Sequence, residues 1–243
     1  MHPNGVPEVK IQVTDEVLVH RRRGQIIAAA VELFARQGFY RTTIQEIAKL
    51  AGVSSGLIYQ YVSDKEDVLL LSLLSVLDSY KHEIPAAMEG LSDPLARYRA
   101  AVQAYCRVVD QRREATVLAY RSTKSLPEDR RQLIKNHEIE TNGLIEAALR
   151  DCIAEGLFRE VNVELVTYQL VTFAHSWALK YWRLKQLVTL EEYIAHGLDF
   201  FARALLTPKG WRHYSKLADA GTAGPPKAIA AKPRKQRRTA SGT

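Results

Sequence analysis

The stretch IIAAAVELFARQGFYRTTIQEIAKLAGVSSGLIYQYVSDKEDVL, residues 26–69, decides the fold of this chain. Its apolar residues recur every three or four positions, which is typical of amphipathic α-helices that pack along one face. Neither here nor elsewhere is there a run of strict apolar and polar alternation long enough to predict a strand. The stretch therefore predicts four helices, over residues 21–37, 43–51, 54–60 and from 63 onward.

Glycines and cap residues mark the ends of these helices. Gly38 and Gly52 are natural left-handed stops for the first and second helix. Thr43 and Glu46 have the spacing of a capping box, in which each side chain satisfies a free backbone N–H of the other residue. Ser54 is a suitable N-cap for the third helix.

Similar capping residues mark the starts of helices in the rest of the chain. Ser63 and Glu66 have capping-box spacing at the start of the fourth helix, and we expect Pro85 to kink or end it. Five further helices are predicted, over residues 94–110, 113–124, 127–156, from 162 and 189–206, opened in turn by Ser92-Asp93-Pro94, Arg113, Leu126-Pro127, Asn162 and the capping box Thr189–Glu192. The chain is therefore predicted to be all-α.

The second and third helices, with a tight turn at Gly52, have the spacing of a helix-turn-helix, whose second helix enters the major groove of DNA. Gly56 leaves room for the duplex, while the hydroxyls of Tyr59 and Tyr61 suit phosphate oxygens. Gln60 can bond an adenine edge, and helix N-termini favour phosphate. The same spacing also occurs as plain helix packing. As DNA contacts we predict Thr42, Thr43, Ser54, Ser55, Gly56, Tyr59, Gln60, Tyr61 and Lys65.

Residues 26–69 closely resemble the DNA-binding domain of the tetracycline-repressor (TetR) family of bacterial transcription regulators. The resemblance covers most of the first four helices and rests on Phe34, Gly38, Thr42-Thr43-Ile44, Ile47-Ala48, Ala51-Gly52-Val53-Ser54, Gly56, Tyr59 and Lys65-Glu66. It implies a homodimer that binds a near-palindromic operator, represses, and leaves the DNA when a small molecule enters the C-terminal domain. Positions that often touch DNA in the family correspond here to Thr43, Ser55, Tyr59, Gln60, Tyr61 and Lys65. Two departures are Ser55, where the family frequently has lysine, and Tyr61-Val62, which replaces the common aromatic-Phe pair.

Charge is unevenly distributed along the 243 residues, whose net charge is +7. Residues 208–243 hold nine basic residues and one acid, so the rest of the chain is nearly neutral, although residues 20–65 hold seven basic residues and three acids. We predict four parts: a flexible lead over 1–19, a DNA-binding domain over 20–66, a helical ligand-binding and dimerisation domain over 67–207, and a basic disordered tail over 208–243.

Several classes of protein are excluded by what the sequence lacks. The longest stretch without a charge, 165–179, is too short to span a bilayer, and the first 20 residues do not resemble a signal peptide, so we expect a cytoplasmic protein without membrane contact. Cys106 and Cys152 are too far apart to predict a disulfide or a zinc site. The chain has no Walker or GxGxxG motif and no Glu-x-x-His pair. We predict no enzyme, no cofactor and no metal.

Two apolar stripes in the last long helices predict a dimer surface. A four-helix contact under a two-fold axis would hold two recognition helices at the spacing of two half-sites, although each stripe could equally be intrachain core. As dimer-interface residues we predict Phe173, Trp177, Tyr181, Ile194, Gly197, Leu198, Phe201 and Leu205.

The effector pocket is sought among polar groups on apolar faces of the C-terminal domain. The candidates are Tyr98, Tyr105, Tyr120, Arg121, His137, Asn142, His175 and Trp182. The block REATVLAYRSTKSLPEDRRQLIKNHE, residues 113–138, is similar to family branches that sense fatty acyl-CoA or related thioesters, and its basic residues suit CoA phosphates, or else form a solvated face.

These observations predict a DNA-binding repressor that is released from operator DNA by a small hydrophobic effector, such as an acyl-CoA thioester. A sensor of aromatic or multidrug-type compounds would use the same aromatic residues. A nonspecific nucleic-acid-coating protein, acting through the basic tail, is the alternative of a different class.

Overall fold

The structure is a computed structural model that describes residues 16–219, with side chains from 21 to 216. Within those residues it contains α-helices, one 3₁₀ turn at Thr123–Ser125 and an isolated bridge between Phe158 and Leu206. The helices are α1 Glu16–Gln37, α2 Ile44–Ala51, α3 Ser55–Ile58, α4 Lys65–Met88, α5 Pro94–Gln111, α6 Arg113–Ser122, α7 Glu128–Ala154, α8 Val163–Leu179, α9 Tyr181–Leu184, α10 Leu190–Leu205 and α11 Pro208–Asp219. The all-α prediction is confirmed.

Most predicted helix ends are found as expected. Both capping boxes at Thr43–Glu46 and Thr189–Glu192 are present, with side chain and backbone paired in both directions. Ser54 and Asn162 cap their helices. Gly52 ends α2 with a φ of 67°, a left-handed conformation that a residue with a Cβ adopts only with strain.

The start and the end of α4 differ from the prediction. The N-cap is Asp64 and not Ser63, because the Asp64 carboxylate accepts the N–H of Asp67 at 2.6 Å. Pro85 lies inside the helix without ending it. It sits in the last turn, where one lost hydrogen bond costs little, and the turn is held by the buried side chains of Ile84 and Met88 on one face.

Two hydrophobic clusters share α4. The first half of the helix, up to Leu74, packs with α1, α2 and α3, together with Leu118 of α6 and Ile134 of α7. The second half, from Val76, packs with α5, α7, α8 and α10. The helix-turn-helix region is here called the head, and the remaining helices are called the body. Helix α4 connects the two, and a helix transmits a displacement along its axis.

The predicted terminal segments are partly helical, which corrects the prediction. The lead over 1–19 enters α1 at Glu16, and the tail over 208–243 begins with the helix α11. Pro208 is the first residue of this helix, a position to which proline is well suited. In α11, Tyr214 is buried and His213 pairs with Asp93. The remainder of both predicted segments, 1–15 and 220–243, lies outside the described residues.

The described part of the chain, residues 16–219, contains no helix that is both long and apolar enough to cross a bilayer.

Candidate DNA-binding surface and effector site

The helix-turn-helix is assembled on the head cluster. Ile44, Ile47 and Ala48 bury one face of α2, and Ile58 anchors α3 in the same core. The N–H of Val53 donates to the carbonyl of Ala48 at 3.0 Å, which closes the turn between the two helices. Helix α3 covers only Ser55–Ile58, whereas the sequence predicted 54–60, and Tyr59 follows as its C-cap.

Four predicted DNA contacts share an outward face at α3. Ser55 and Gln60 are half-buried, Gly56 is exposed, and the Tyr59 side chain is 51% exposed. A Cβ added at Gly56 would meet no atom within 4 Å, so this part of the surface is open toward solvent. Small and hydrogen-bonding groups on an open helix face are what close approach to base edges requires.

Thr43 and Ser54 are also at the surface, but their hydroxyls are engaged as caps. Ser54 Oγ accepts the N–H of Leu57 at 3.1 Å, and Thr43 Oγ1 accepts the N–H of Glu46 at 3.2 Å. Both residues therefore position helix N-termini, and their backbone lies at the exposed face.

Two predicted contacts are wrong because their side chains are buried. Tyr61 is 1% exposed and belongs to the head core, so its hydroxyl does not reach a phosphate. Thr42 is also 1% exposed, and its hydroxyl donates to the carbonyl of Gly38 at 2.8 Å. Sequence periodicity could not separate these side chains from the exposed ones, because both lie next to helix ends.

The predicted phosphate contact of Lys65 is also not supported by its bonding. Its ammonium group donates to the carbonyls of Phe39, Tyr40 and Thr42, at 3.0, 3.2 and 2.9 Å. Because an ammonium group has three N–H donors, these bonds use all of them. Lys65 therefore holds the α1–α2 turn against the start of α4 and positions the recognition region.

One exposed aromatic residue of the head was missed. Tyr40 is 78% exposed and precedes the basic Arg41, at the same turn that Lys65 holds. Its hydroxyl accepts a hydrogen bond from Ser125 Oγ at 3.0 Å, which joins the head to the 3₁₀ turn of the body. In the sequence, its position directly before Arg41-Thr42-Thr43 was the signal that could have identified it.

A second link between head and body is an ion-pair cluster at the start of α4. The Arg130 guanidinium of α7 donates to both carboxylate oxygens of Asp64, at 3.0 and 3.2 Å, and lies 2.8 Å from Asp67 Oδ1. Burial raises the pKa of Asp64, but the bonds from Arg130 and the Asp67 N–H outweigh it, so this pKa lies below its ordinary value.

In the body, three predicted effector residues meet in one hydrogen-bonded group, which we call the His175 array. His175 Nε2 lies 3.1 Å from the Tyr105 hydroxyl and 3.5 Å from that of Tyr80, and Nδ1 lies 2.9 Å from the Tyr120 hydroxyl. Burial lowers the pKa of His175 to about 4, so the ring is neutral at pH 7. Tyr120 is 56% exposed, and the array therefore runs from the surface to the interior.

Hydrogen-bonding groups without partners lie on the helices around the array. The Asn142 amide of α7 and the hydroxyls of Thr116 and Thr167 are buried and have no hydrogen-bond partner within residues 21–216. Glu138 of α7 is partly buried, which raises the pKa of its carboxyl group. Such unfilled capacity is costly in a closed core, and it is expected where a polar ligand binds.

The other predicted effector residues are not part of this group. Tyr98 is buried and packs edge-on against Phe158 at 5.1 Å. His137 lies 3.2 Å from the Lys81 ammonium group, Arg121 lines a cavity between α1, α4 and α6, and Trp182 is exposed on the outer surface.

The predicted dimer stripes are largely wrong, because the chain encloses them itself. Phe173 and Tyr181 are half-buried against the body core, and the others are buried within the same cluster, namely Trp177, Ile194, Gly197, Leu198, Phe201 and Leu205. Gly197 does allow close helix approach as expected, since a Cβ there would lie 2.0 Å from Phe173 Cζ of the same chain. The exposed apolar residues of these helices are Leu165 of α8 and Phe200 of α10.

Two family models match the chain. Residues 26–71 match "Bacterial regulatory proteins, tetR family", and residues 91–183 match "Tetracyclin repressor-like, C-terminal domain". The first covers the helix-turn-helix, and the second covers most of the body, including Tyr105, Tyr120 and His175 of the array.

Similar proteins are regulators as well. The chain is 52% identical over 217 residues to the HTH-type transcriptional regulator HbdR of Aromatoleum sp. strain CIB, which covers 89% of this chain and 95% of that protein. The ketosteroid transcriptional regulator KstR2 of Mycobacterium tuberculosis has a similar structure, with a TM-score of 0.64, 20% identity, and coverage of 82% of this chain and 99% of that one. A structure of AibR in complex with isovaleryl coenzyme A and operator DNA gives a TM-score of 0.63 at 18% identity, with 74% and 97% covered. Because both sequence identities are below 25%, these two structures are evidence for the fold alone.

Proposed function

The chain belongs to the TetR family of bacterial transcription regulators, and from this premise we propose that it is a repressor released from operator DNA by an acyl-CoA thioester. The observation that carries the DNA-binding part is the open face of α3, which presents Ser55, Gly56, Tyr59 and Gln60. In this proposal the head, residues 20–66, binds DNA, and the body, residues 67–207, binds the effector.

On DNA, α3 lies in the major groove with Gln60 against a base edge and Tyr59 against a phosphate. Thr43 and Ser54 supply helix N-termini to the backbone, and Lys65 holds the turn that sets their orientation. The basic side chains Arg21, Arg36 and Arg41 are exposed on the same head and add attraction to the duplex.

A homodimer is part of the proposal, because a near-palindromic operator presents the same half-site twice. The outer face of α8 and α10 is the contact surface that fits best. Leu165 and Phe200 are 56% and 71% exposed there, while the inward residues of both helices are occupied by the chain's own core. This assignment replaces the stripes that the sequence predicted.

The effector site is proposed at the His175 array. The hydroxyls of Tyr105 and Tyr120, together with the buried Asn142 amide, can bond a thioester carbonyl or a substituent of the acyl chain. The nucleotide part of the thioester remains outside, near the partly exposed Tyr120. The similarly folded AibR, whose structure contains isovaleryl coenzyme A and operator DNA, supports this class of effector.

Release of DNA follows from the connections of α6. This helix carries Tyr120 at its C-terminal end. The chain that follows it contains Ser125, which bonds Tyr40, and Arg130, which bonds Asp64. An effector that displaces Tyr120 shifts both links and changes the position of α3 relative to its partner copy. Effector and DNA then weaken each other's binding by the same factor.

The DNA-binding proposal is tested by selecting duplexes from a random library with the full-length protein and measuring affinity by gel shift. We expect enriched sites with two half-sites about one helical turn apart. Gln60→Ala should reduce discrimination at one base pair by about 1–3 kcal/mol, and Tyr59→Phe should weaken binding to all sites. Gln132→Ala, an exposed change on α7, is the matched control. Equal affinity for every duplex, or unchanged binding in both head variants, contradicts the proposal.

The effector proposal is tested by thermal shift with isovaleryl-CoA, longer acyl-CoA thioesters, free fatty acids, aromatic compounds and CoA alone. A ligand that binds only the folded state raises the melting temperature. A shift with thioesters that Tyr105→Phe and His175→Gln reduce supports the assignment. A shift with aromatic compounds alone contradicts it and identifies a different effector class.

The proposal assigns the protein no catalytic step, consistent with relatives that are transcriptional regulators. It also implies a cytoplasmic location, because that is where bacterial operator DNA lies.

A further inference from the structure

A cavity of about 1430 Å³ lies between α1 of the head, the middle of α4, and α6 of the body. We call it the seam cavity. None of the His175 array residues lines it, so it is separate from the effector site proposed above. Its walls come from both parts of the molecule, with α1 on one side and α6 on the other.

The middle of the seam cavity is apolar. The side chains there come from all three helices, and they are Ile27, Val31, Phe34, Leu71, Leu74 and Leu118. A cavity of this size with an apolar wall is large enough to hold a small organic molecule.

The guanidinium group of Arg23 lies at one end of the cavity, and some of its N–H donors have no acceptor. The Nε and Nη2 atoms of Arg23 are buried, and they have no hydrogen-bond partner within residues 21–216. Burial without a partner lowers the pKa of Arg23. A guanidinium that loses water without gaining an acceptor is costly, and buried arginines normally lie against an acid.

Most other charges around the cavity are paired or exposed, and Asp78 of α4 is half-buried without an ion pair within residues 21–216. Arg113 pairs with Asp110, and Lys81 with Glu140. The acids Glu83 and Glu114 also line the cavity, but they are exposed, and neither they nor Asp78 bonds Arg23. Arg23 is therefore a half-buried cation with two buried nitrogen atoms that lack a hydrogen-bond partner within residues 21–216.

We propose that the seam cavity binds an amphipathic anion, whose acidic group pairs with Nε and Nη2 of Arg23 and whose apolar part lies along Ile27, Val31 and Leu74. These two nitrogen atoms form one edge of the planar guanidinium, which matches the two oxygens of a carboxylate in a bidentate pair. The apolar part gains from leaving water when it lies against these side chains of α1 and α4.

Such a ligand touches the head through α1 and the body through α4 and α6. It therefore fixes one arrangement of the two parts and changes the affinity for DNA without occupying the effector site. The site is a second input to the same conformational equilibrium, and it does not depend on the effector proposed above, because the two sites share no residue.

The test is isothermal titration of the full-length protein with decanoate, with 1-decanol as the neutral molecule of the same length. We expect one decanoate per chain, binding weakened at least about tenfold by Arg23→Gln, and much weaker selectivity for decanoate over decanol in that variant. Arg21→Gln, which removes an exposed charge outside the cavity, is the control and should bind as the wild type does.

A second variant guards against an effect of Arg23→Gln on folding. Gly24 lines the cavity, and a Cβ there meets no atom within 4 Å, so Gly24→Glu fits sterically and places a carboxylate beside Arg23. It should weaken decanoate binding while leaving the thermal melt as stable as that of the wild type. Unchanged decanoate affinity in both variants overturns the proposal. So does a loss of affinity in His175→Gln instead, because decanoate then occupies the effector site.

Discussion

Replacing Arg130 by alanine should weaken the junction between head and body and lower the free energy of unfolding. The guanidinium contacts two carboxylates of unequal burial, since the Asp67 side chain is 7% exposed and that of Asp64 45%. Breaking a buried pair from one side costs about 3–5 kcal/mol, whereas an exposed pair contributes at most about 1 kcal/mol. Asp67 keeps one partner, the N–H of Ser63 at 2.8 Å. We therefore expect the free energy of unfolding to fall by about 2–3 kcal/mol.

The assay is thermal denaturation followed by circular dichroism and calorimetry at pH 7. A loss of this size corresponds to a melting temperature lower by roughly 5–10 °C in a protein of this length. Arg150→Ala, which breaks an i,i+4 pair whose arginine side chain is 59% exposed, is the matched control and should change the melting temperature little. The double variant Arg130→Ala/Asp67→Asn should be more stable than Arg130→Ala alone, because it removes the buried charge that was left without a partner. Equal melting temperatures for Arg130→Ala and Arg150→Ala would refute the reasoning.

The pH dependence provides an independent check on the same cluster. Because the pKa of Asp64 is lower in the folded protein than in the unfolded chain, its contribution is present above the unfolded value of about 3.9 and is lost as the pH falls toward and through the folded value. Arg130→Ala removes most of this difference. The wild type should therefore lose stability more steeply than the variant below about pH 4.

Three further changes test other features of the molecule. Gly197→Ala should lower the free energy of unfolding by about 2–3 kcal/mol in urea denaturation, because the added Cβ would lie 2.0 Å from the Phe173 ring, whereas Gly143→Ala, with no atom within 4 Å, should not destabilise. The folded pKa of His175, about 4, lies below the unfolded value of about 6.5, so stability should fall by up to about 1.4 kcal/mol per pH unit as the pH drops between these values, and His175→Gln should abolish that slope. Phe200→Glu should convert the dimer into monomers in sedimentation velocity without lowering the melting temperature of the monomer, and a dimer that persists would show that its surface lies elsewhere.

If the seam cavity and the His175 array both bind ligands, they act on the same pair of connections. The array reaches the head through α6 and the residues that follow it, and the seam lies directly between α6 and α1. Because both sites bias one equilibrium, ligands that favour the same arrangement should bind cooperatively, and the two affinities should change by equal factors.

The sequence by itself determined the helical fold and the location of the helix-turn-helix. The capping box at Thr43–Glu46, the left-handed stop at Gly52 and the cap at Ser54 are local interactions, and each was found where it was predicted. The exposed face at Tyr59 also followed from local spacing, because α3 is short and its neighbours are close in sequence. The resemblance of residues 26–69 to the TetR family was visible for the same reason, and the comparisons confirm it.

Only the tertiary structure decided what each apolar stripe and each charge contacts. The residues around Trp177 and Leu198 have the periodicity of a helix interface, but periodicity is the same whether the facing helix belongs to the same chain or to another. The roles of Lys65 and Arg130 depend on acceptors 23–26 and 63–66 residues away, which no local pattern reveals. Arg23 shows the same limit, since its charge is evident in the sequence, whereas its burial beside a cavity arises only when α1, α4 and α6 come together.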